Sequence, residues 1–392
     1  MLFYEPIYIS ASIIFFSFKH MKIPFEPEYR DRFYQLLDEV FNSNYWSDGP
    51  VLRKFEEKFE EFTGLPSRGI SSGGTGLLSI LDYLDVRGKD VLVPANTFWA
   101  TAQSAKLAGG NLVYVDCNRE DLCMSVEDLK RKVTPNTKVV IVVHIGGYIA
   151  FQIEEIAVFC EEKGITLIED CAHVHGGSWK GKTGGHFGFA GAYSFYATKT
   201  MPLGDGGMVV SRDKTFLDWL EKYRNYGKEV IEGVVTYPIK TGFNYRMNEF
   251  TAALGIVQLE RLPMILDWKR RLAAKYDKIF ENKVQLPEGM LSGFYKYIVF
   301  GYPDLKAKTG QVFGGNDLGP AIEGIQADTP NSLWVTENHQ CPPIRNRLSP
   351  NRFRLRELRS KTGQPRHRRG RYSCSRSIRR KAGLPVSRRF RR

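Results

Sequence analysis

The sequence predicts an α/β fold in which a mostly parallel sheet is flanked by helices, and three observations lead to that prediction. From Gly69 onward, short runs of Val, Ile and Leu alternate with stretches of helical apolar spacing. The apolar runs are largely continuous, which is typical of strands that are buried on both faces of a parallel sheet. At 392 residues the chain is long enough for a large domain and a smaller one.

The individual elements follow from these patterns in chain order. Residues 28–63 have helical apolar spacing that Ser-Asp-Gly-Pro at 47–50 interrupts, which predicts two helices joined by a loop. A long helix is expected from about Met247, and it leads into the second domain. We further expect strands at 91–94, 112–116, 139–144, 165–170, 193–196, 208–211 and 295–300, and helices at 77–84, 98–107, 126–133 and 153–162.

Four parts of the chain are predicted. Residues 1–20 are an N-terminal extension, residues 21–265 form the large domain, residues 266–344 form a smaller and incomplete C-terminal α+β domain, and residues 345–392 are an arginine-rich tail. The apolar run at 7–18 is too short to span a bilayer and has no basic segment ahead of it. Packing of this run on the large domain as a strand or helix is the alternative.

The positive charge of the chain is concentrated at one end. The formal net charge is +13, but residues 341–392 alone carry +18 and the remainder carries −5. The basic pI therefore says nothing about the substrate of the folded body. Two interpretations of the tail are open, a disordered segment that binds nucleic acid or an acidic surface, and a shifted reading frame. We favour the shifted frame, because the tail is poor in the lysines and aromatic residues of RNA-binding segments.

The cysteines indicate a reducing compartment and no metal site. No Cys-x-x-Cys spacing that would predict zinc occurs, and the cysteines are sparse for a secreted disulfide scaffold. We therefore expect a cytoplasmic protein. The six residues are Cys117, Cys123, Cys160, Cys171, Cys341 and Cys374.

The residues that carry chemistry lie between 168 and 207. Asp170 closes an apolar strand, Ser-Phe-Tyr-Ala-Thr-Lys at 194–199 contains Ser194 and Lys199, and Gly-Asp-Gly-Gly follows at 204–207. An enzyme that uses pyridoxal 5'-phosphate (PLP) needs an amine to form a Schiff base, a carboxylate to keep the pyridine nitrogen protonated and a hydroxyl to help bind the phosphate. Lys199, Asp170 and Ser194 are candidates for these three roles.

Each candidate also has a plainer explanation. Asp170 alone is equally typical of a helix cap or a salt bridge, and a lone Lys199 is typical of a solvated surface. The glycine-rich turn at 72–76 precedes a predicted helix, so its N–H groups and the Thr75 hydroxyl are suited to a phosphate or only to capping. Phe98 is suited to stacking on a pyridine ring or to packing in the core.

Five sequence blocks together resemble the DegT/DnrJ/EryC1/StrS family of PLP-dependent sugar aminotransferases, which have the fold-type I architecture. The likeness runs from about residue 24 to residue 278 and continues more faintly at 295–344. The blocks are Ser-Gly-Gly-Thr-Gly-Leu-Leu at 72–78, Pro-Ala-Asn-Thr-Phe-Trp-Ala-Thr at 94–101, Glu-Asp-Cys-Ala-His at 169–173, Ser-Phe-Tyr-Ala-Thr-Lys at 194–199 and Gly-Phe-Asn-Tyr-Arg-Met-Asn-Glu at 242–249.

The resemblance assigns roles to individual residues. A core position remains the alternative for His173, and support of the backbone is the expected role of Arg246 and Asn248. Because Asn244 is implied to reach the cofactor phosphate of the other subunit, a homodimer with shared active sites is also implied. The resemblance makes Lys199, Asp170 and His173 the catalytic residues. It implies that Lys199 is bound covalently to PLP, that Asp170 contacts the pyridine nitrogen and that His173 lies beside the phenolic oxygen. It further implies that the ring of Phe98 stacks on the pyridine and that the cofactor phosphates are bound by Gly74, Thr75, Ser194 and Asn244.

The implied reaction is PLP-dependent transamination of a nucleotide-linked keto-deoxysugar in amino-sugar biosynthesis, with glutamate as the amino donor. A dehydratase branch of the family has histidine where Lys199 stands here, so transamination is favoured over dehydration. Gly73 and Gly76 depart from the Ser and Ala that the family more often has. A catalytically silent PLP-binding or regulatory homologue is the alternative, and a nucleic-acid-binding protein acting through the tail is a more remote one. No membrane partner is expected.

Overall fold

The computed structural model describes residues 25–300 and the backbone of a short strand at Trp334–Thr336. The predicted N-terminal extension at 1–20 and the arginine-rich tail at 345–392 lie outside the described residues. Most of the predicted small domain beyond residue 300 lies outside them as well.

A seven-stranded sheet forms the centre of the molecule. In the order in which they pair, its strands are β1 (Ser67–Ile70), β9 (Gly207–Ser211), β8 (Ala190–Ser194), β5 (Thr166–Asp170), β4 (Thr137–Val143), β2 (Asp90–Pro94) and β3 (Asn111–Val115). Only β9 runs antiparallel to both of its neighbours, and the other neighbouring pairs are parallel. The sheet is therefore mostly parallel, as predicted.

Helices cover both faces of this sheet. The described helices are α1 (Pro27–Ser43), α2 (Pro50–Thr63), α3 (Gly73–Tyr83), α4 (Trp99–Leu107), α5 (Val126–Lys132), α6 (Ile153–Glu162), α7 (Lys214–Tyr223) and α8 (Glu249–Tyr276). Apolar side chains of α1, α2, α5, α6 and α8 pack in one layer, and those of α3, α4 and α7 pack in the other. The strands are buried between the two layers, which explains their continuous apolar runs.

Short strands outside the main sheet complete the described elements. They are β6 (Ser178–Trp179), β7 (Lys182–Thr183), the hairpin β10 (Glu229–Ile231) and β11 (Val234–Thr236), β12 (Met290–Leu291), β13 (Ile298–Phe300) and β14 (Trp334–Thr336). The sequence patterns did not predict β1, α7 or any of these short strands except β13, which lies within the strand predicted at 295–300.

A buried carboxylate joins two helices that are distant in the sequence. Glu249, the first residue of α8, is fully buried and accepts hydrogen bonds from the backbone N–H groups of Gly49, Val51 and Leu52 at 2.9, 2.8 and 3.0 Å. These groups belong to the unsatisfied first turn of α2. Glu249 therefore caps a helix about 200 residues away in the chain.

Three predicted boundaries are wrong by several residues. Helix α3 begins at Gly73 rather than at 77, because Ser72 and Thr75 form a reciprocal capping box ahead of the apolar positions. Strand β8 covers Ala190–Ser194 rather than 193–196, because the small residues at its start let it pack closely against the loop before it. Strand β13 starts at Ile298 rather than at 295.

The predicted domain boundary at 265/266 lies inside α8, which continues through Pro263 to Tyr276. The division into a large and a small domain stays a prediction. No helix in the described part of the chain combines the length and the apolar character needed to cross a membrane.

Candidate active site

Asp170 lies at the carboxyl end of β5, the edge of a parallel sheet where ligands of α/β proteins bind. Its side chain is buried and is held by two hydrogen bonds. The Thr101 hydroxyl donates to Oδ2 at 2.7 Å, and the Ala172 N–H donates to Oδ1 at 3.0 Å. The carboxylate is therefore fixed in orientation by α4 on one side and by its own chain on the other.

Lys199 lies on the loop between β8 and β9. The loop is closed at its base, where the Phe195 N–H donates to the Gly206 carbonyl at 2.9 Å and the Leu203 N–H donates to the Phe195 carbonyl at 2.8 Å. Gly206 has a φ of +141°, which a residue with a side chain rarely adopts. Because the base of the loop is closed, the backbone that carries the half-buried Lys199 side chain has a defined position.

Tyr295 brings Lys199 and His173 together. Its ring stacks on the His173 imidazole with 4.1 Å between the ring centroids, and the Lys199 Nζ lies 4.8 Å from the Tyr295 centroid. The backbone segment that carries Tyr295 is held by Gly147, whose carbonyl accepts from the Gly293 N–H at 2.8 Å. The predicted amine and the predicted imidazole thus both contact the ring of one buried phenol.

The electrostatics of this cluster favour neutral nitrogen bases. Burial lowers the pKa of Lys199 to about 8, although the nearby charge of Asp170 acts in the opposite direction. Burial, followed by the charge of Lys199, also holds the pKa of His173 well below its usual value. His173 Nδ1 is buried and has no hydrogen-bond partner among the described residues. The site therefore contains an uncharged imidazole with an unused nitrogen.

The amino end of α3 lies beside the end of β8. A Cβ added to Gly73 would lie 2.8 Å from the Cβ of Ser194, and one added to Gly207 would lie 2.5 Å from the Ser72 carbonyl carbon. Glycine at 73 thus lets the helix end approach Ser194. The first-turn N–H groups near Gly74 and the positive end of the helix dipole favour an anion at this place.

Thr75 and Ser194 differ in how their hydroxyls are used. Thr75 Oγ1 accepts from the Ser72 N–H at 3.0 Å and donates to the Ser72 carbonyl at 2.9 Å, so it maintains the helix cap. Ser194 Oγ accepts from the Tyr196 N–H at 3.4 Å, which leaves its own proton to donate. Of the two hydroxyls, that of Ser194 is the better donor to an incoming phosphate.

Phe98 and Asn244 are both exposed. Phe98 is the N-cap residue of α4 and its side chain is 55% exposed, so it does not pack in the core. Asn244 lies on the segment between β11 and α8, where its backbone pairs with Asn225. Asn248 accepts from the Thr251 N–H at 2.8 Å and caps α8, in agreement with the structural role expected of it.

Glu169 forms a second buried network directly behind Asp170. Its two oxygens accept from the N–H groups of Gly185, Phe187 and Gly188, each at 2.7 Å, and from His144 Nε2 at 2.9 Å. His144, Glu169 and Cys171 are close enough to resemble a metal site. Because four donors already occupy the carboxylate, this network holds the loop at 185–188 rather than offering oxygens to a cation.

Comparison with known proteins agrees with this architecture. The model of the DegT/DnrJ/EryC1/StrS aminotransferase family matches residues 27–292. The chain belongs to the DegT/DnrJ/EryC1/StrS aminotransferase family. The resemblance in its five sequence blocks is therefore confirmed.

Curated relatives and solved structures of the family extend over most of this chain. GDP-perosamine synthase of Escherichia coli O157:H7 is 32% identical over 284 residues, covering 70% of this chain and 75% of the relative. A dTDP-4-dehydro-2,3,6-trideoxy-D-glucose 4-aminotransferase of Saccharopolyspora spinosa is 32% identical over 70% of this chain and 76% of its own length. The aminotransferase TlmJ of Streptoalloteichus hindustanus has a TM-score of 0.64 at 29% identity, over 68% of this chain and 75% of that structure. The predicted fold-type I architecture is confirmed.

Sequence reasoning did not single out Thr101 or Glu169, and it placed Tyr295 only in a strand. Thr101 stands four residues after Thr97, which precedes the N-cap residue of α4, and the two hydroxyls lie 2.7 Å apart. Glu169 sits in an otherwise apolar strand, and an acid at such a position is a signal of a buried hydrogen-bond network. Tyr295 carried no comparable signal, because its contacts depend on the path of the chain after α8.

Proposed function

We propose that the protein is a PLP-dependent aminotransferase that transfers the amino group of glutamate to the keto group of a nucleotide-linked deoxysugar. One observation carries the proposal: the amine of Lys199, with its pKa lowered to about 8, contacts the same Tyr295 ring as His173, close to the fixed carboxylate of Asp170. Membership of an aminotransferase family supports the reaction type.

The residues of the cluster fit PLP. The unpartnered Nδ1 of His173 suits a phenolic oxygen, and the amino end of α3 beside Ser194 suits a phosphate. The exposed ring of Phe98 is free to cover one face of a pyridine, and the Asp170 carboxylate suits its ring nitrogen. Lys199 supplies the amine that this cofactor requires.

Each residue then has a task in the proposed reaction. When bound, PLP supplies an aldehyde that carries the amino group and a ring that withdraws electrons from the carbon losing a proton. Lys199 in its neutral form would take the proton from the α-carbon of the donor and deliver it to the cofactor carbon that bore the aldehyde. Asp170 keeps a proton on the ring nitrogen, and the uncharged His173 offers one N–H or one lone pair to the neighbouring oxygen.

The names of the relatives support the substrate class. GDP-perosamine synthase and a dTDP-linked keto-sugar 4-aminotransferase both act on sugars attached to a nucleoside diphosphate. A panel of GDP- and dTDP-linked keto-sugars, with glutamate as donor and mass spectrometry of the product, tests the proposal. A gain of an amino group on one of them is the expected result, and no conversion of any keto-sugar would refute the substrate class.

A homodimer with shared sites is part of the proposal, because the exposed Asn244 is assigned to the partner's phosphate. Mixing Lys199→Ala with Asn244→Ala subunits tests it. If each site uses Lys199 of one subunit and Asn244 of the other, a hybrid dimer contains one site without either substitution. Activity should therefore reappear on mixing two inactive variants, and the absence of such recovery in verified hybrids would contradict shared sites.

A catalytically silent PLP-binding homologue is the second candidate. A relative from Geobacillus stearothermophilus that is 30% identical, over 64% of this chain and 67% of its own length, is named a pleiotropic regulatory protein. Addition of glutamate to the PLP-loaded protein separates the two candidates. An aminotransferase converts the cofactor to pyridoxamine phosphate, whereas a silent homologue leaves it unchanged.

A further inference from the structure

Two threonine hydroxyls and the Asp170 carboxylate form a continuous chain of hydrogen bonds at the amino end of α4. Thr97 Oγ1 lies 2.7 Å from Thr101 Oγ1, and Thr101 Oγ1 lies 2.7 Å from Asp170 Oδ2. Thr101 is fully buried and Asp170 is 6% exposed. The bond between Thr101 and Asp170 joins two buried groups and is therefore strong, because water does not compete for it.

The chemistry of the three groups determines which of them donates and which accepts in each hydrogen bond. An ionised carboxylate can only accept, so the hydroxyl proton of Thr101 is committed to Asp170. The oxygen of Thr101 is then left to accept the proton of Thr97. Thr97 is only partly buried, which leaves its own oxygen open to accept from water. Each hydroxyl thus acts once as a donor, and every proton points towards Asp170.

The hydrogen bonds to Asp170 fix the orientation of its carboxylate. Oδ2 is held by Thr101 and Oδ1 by the Ala172 N–H, while each oxygen keeps a further lone pair. The same turn of α4 carries Phe98, whose carbonyl accepts from the Thr101 N–H at 3.1 Å. The ring proposed to stack on the cofactor and the hydroxyl that orients Asp170 are therefore parts of one helical turn.

We propose that Thr101 is a positioning residue of the aminotransferase, which aims the Asp170 carboxylate at the pyridine nitrogen of PLP, with Thr97 orienting the Thr101 hydroxyl in turn. The inference rests on the proposed function, because it assigns a task within the same site. Thr101 touches Asp170 and not the reacting atoms, so it acts through the aspartate.

The test compares the affinity of the purified protein without cofactor for PLP and for 1-deazapyridoxal 5'-phosphate, in which a carbon replaces the ring nitrogen. Quenching of intrinsic tryptophan fluorescence gives both dissociation constants. Thr101→Val removes the hydroxyl with little change of shape and should weaken PLP binding about tenfold or more, since a hydrogen bond to a charged group is lost. Binding of the deaza compound should change by less than about twofold, because it has no ring nitrogen for Asp170 to meet.

Three further variants make the result specific. Thr101→Ser keeps the hydroxyl and should restore the affinity for PLP, whereas Thr97→Val should cause a smaller loss than Thr101→Val. Thr63→Val is the matched control, because Thr63 is also buried but its hydroxyl donates to the Phe59 carbonyl in α2 at 2.9 Å. It should bind both compounds as the unchanged protein does.

The possible outcomes separate this inference from the proposed function. If the unchanged protein fails to bind PLP, the proposed function itself is wrong. If it binds PLP and Thr101→Val binds both compounds equally well or equally badly, Thr101 has no positioning role towards the ring nitrogen. A lowered melting temperature of Thr101→Val with an unchanged ratio of the two dissociation constants would likewise assign the hydroxyl to stability alone.

Discussion

The lowered pKa of Lys199 predicts how its reactivity depends on pH. The ordinary value of 10.5 and the value of about 8 in this site differ by about 2.5 units. At pH 7 the neutral fraction of the amine is therefore about 300-fold larger than for a solvated lysine, since each unit is a factor of ten. Only the neutral amine attacks an aldehyde, so the rate of covalent attachment to PLP should rise with pH and reach half its maximum near pH 8.

Stopped-flow absorbance near roughly 420 nm, the region expected for pyridoxal joined to a lysine, measures this rate from pH 6 to 11. Lys199→Ala provides the contribution of surface lysines, which is subtracted at each pH. Asp170→Asn is the matched variant, because removing the charge that raises the pKa of Lys199 should move the midpoint to lower pH. A midpoint near 10.5 in the unchanged protein, or no movement of it in Asp170→Asn, would refute the reasoning.

Three further predictions concern stability and the phosphate site. Without cofactor, Lys199→Met should raise the free energy of unfolding at pH 7 by about 1–2 kcal/mol. Burial lowers the pKa of Lys199 from 10.5 in the unfolded chain to about 8 in the folded protein. The gain in stability should therefore be complete below pH 8 and fade as the pH rises towards 10.5, and a gain independent of pH would contradict this prediction. Glu249→Ala should cost about 3 kcal/mol in urea denaturation, since three buried N–H groups lose their acceptor, with a smaller loss for Glu249→Gln; a cost below about 1 kcal/mol would argue against the cap. Gly73→Ala should lower the ratio of PLP affinity to pyridoxal affinity, because its Cβ would push Ser194 away from the helix end, and an unchanged ratio would show that no phosphate binds there.

The strands of the main sheet other than β1 could be predicted, because burial on both faces gives each of them a continuous run of apolar residues in the sequence. Strand β4 illustrates this, since Val139, Val140, Ile141 and Val142 are all fully buried. The start of α3 could not be predicted from the same signal. Glycines normally mark a turn, but here the capping box of Ser72 and Thr75 starts the helix at Gly73, and glycine is required there because Ser194 leaves no room for a side chain.

The residues of the candidate site divide in the same way. Lys199 and Asp170 stand in short motifs that can be recognised without knowing the fold. Thr101 contacts Asp170, which is 69 positions further along the sequence. Tyr295 contacts His173, which lies 122 positions before it. Such contacts are set by the packing of whole elements, and no local pattern encodes them. The roles of the site residues therefore stay predictions that the proposed experiments test.

The cap that Glu249 places on α2 has a consequence for synthesis of the protein. The two ends of this contact are separated by about 200 residues of chain. At about 5–20 residues per second, a ribosome needs about 10–40 s to make the intervening segment. During that interval the apolar face of α2 lacks α8, the helix against which it packs in the folded protein. The nascent chain is therefore exposed to chaperones and proteases until its later half emerges.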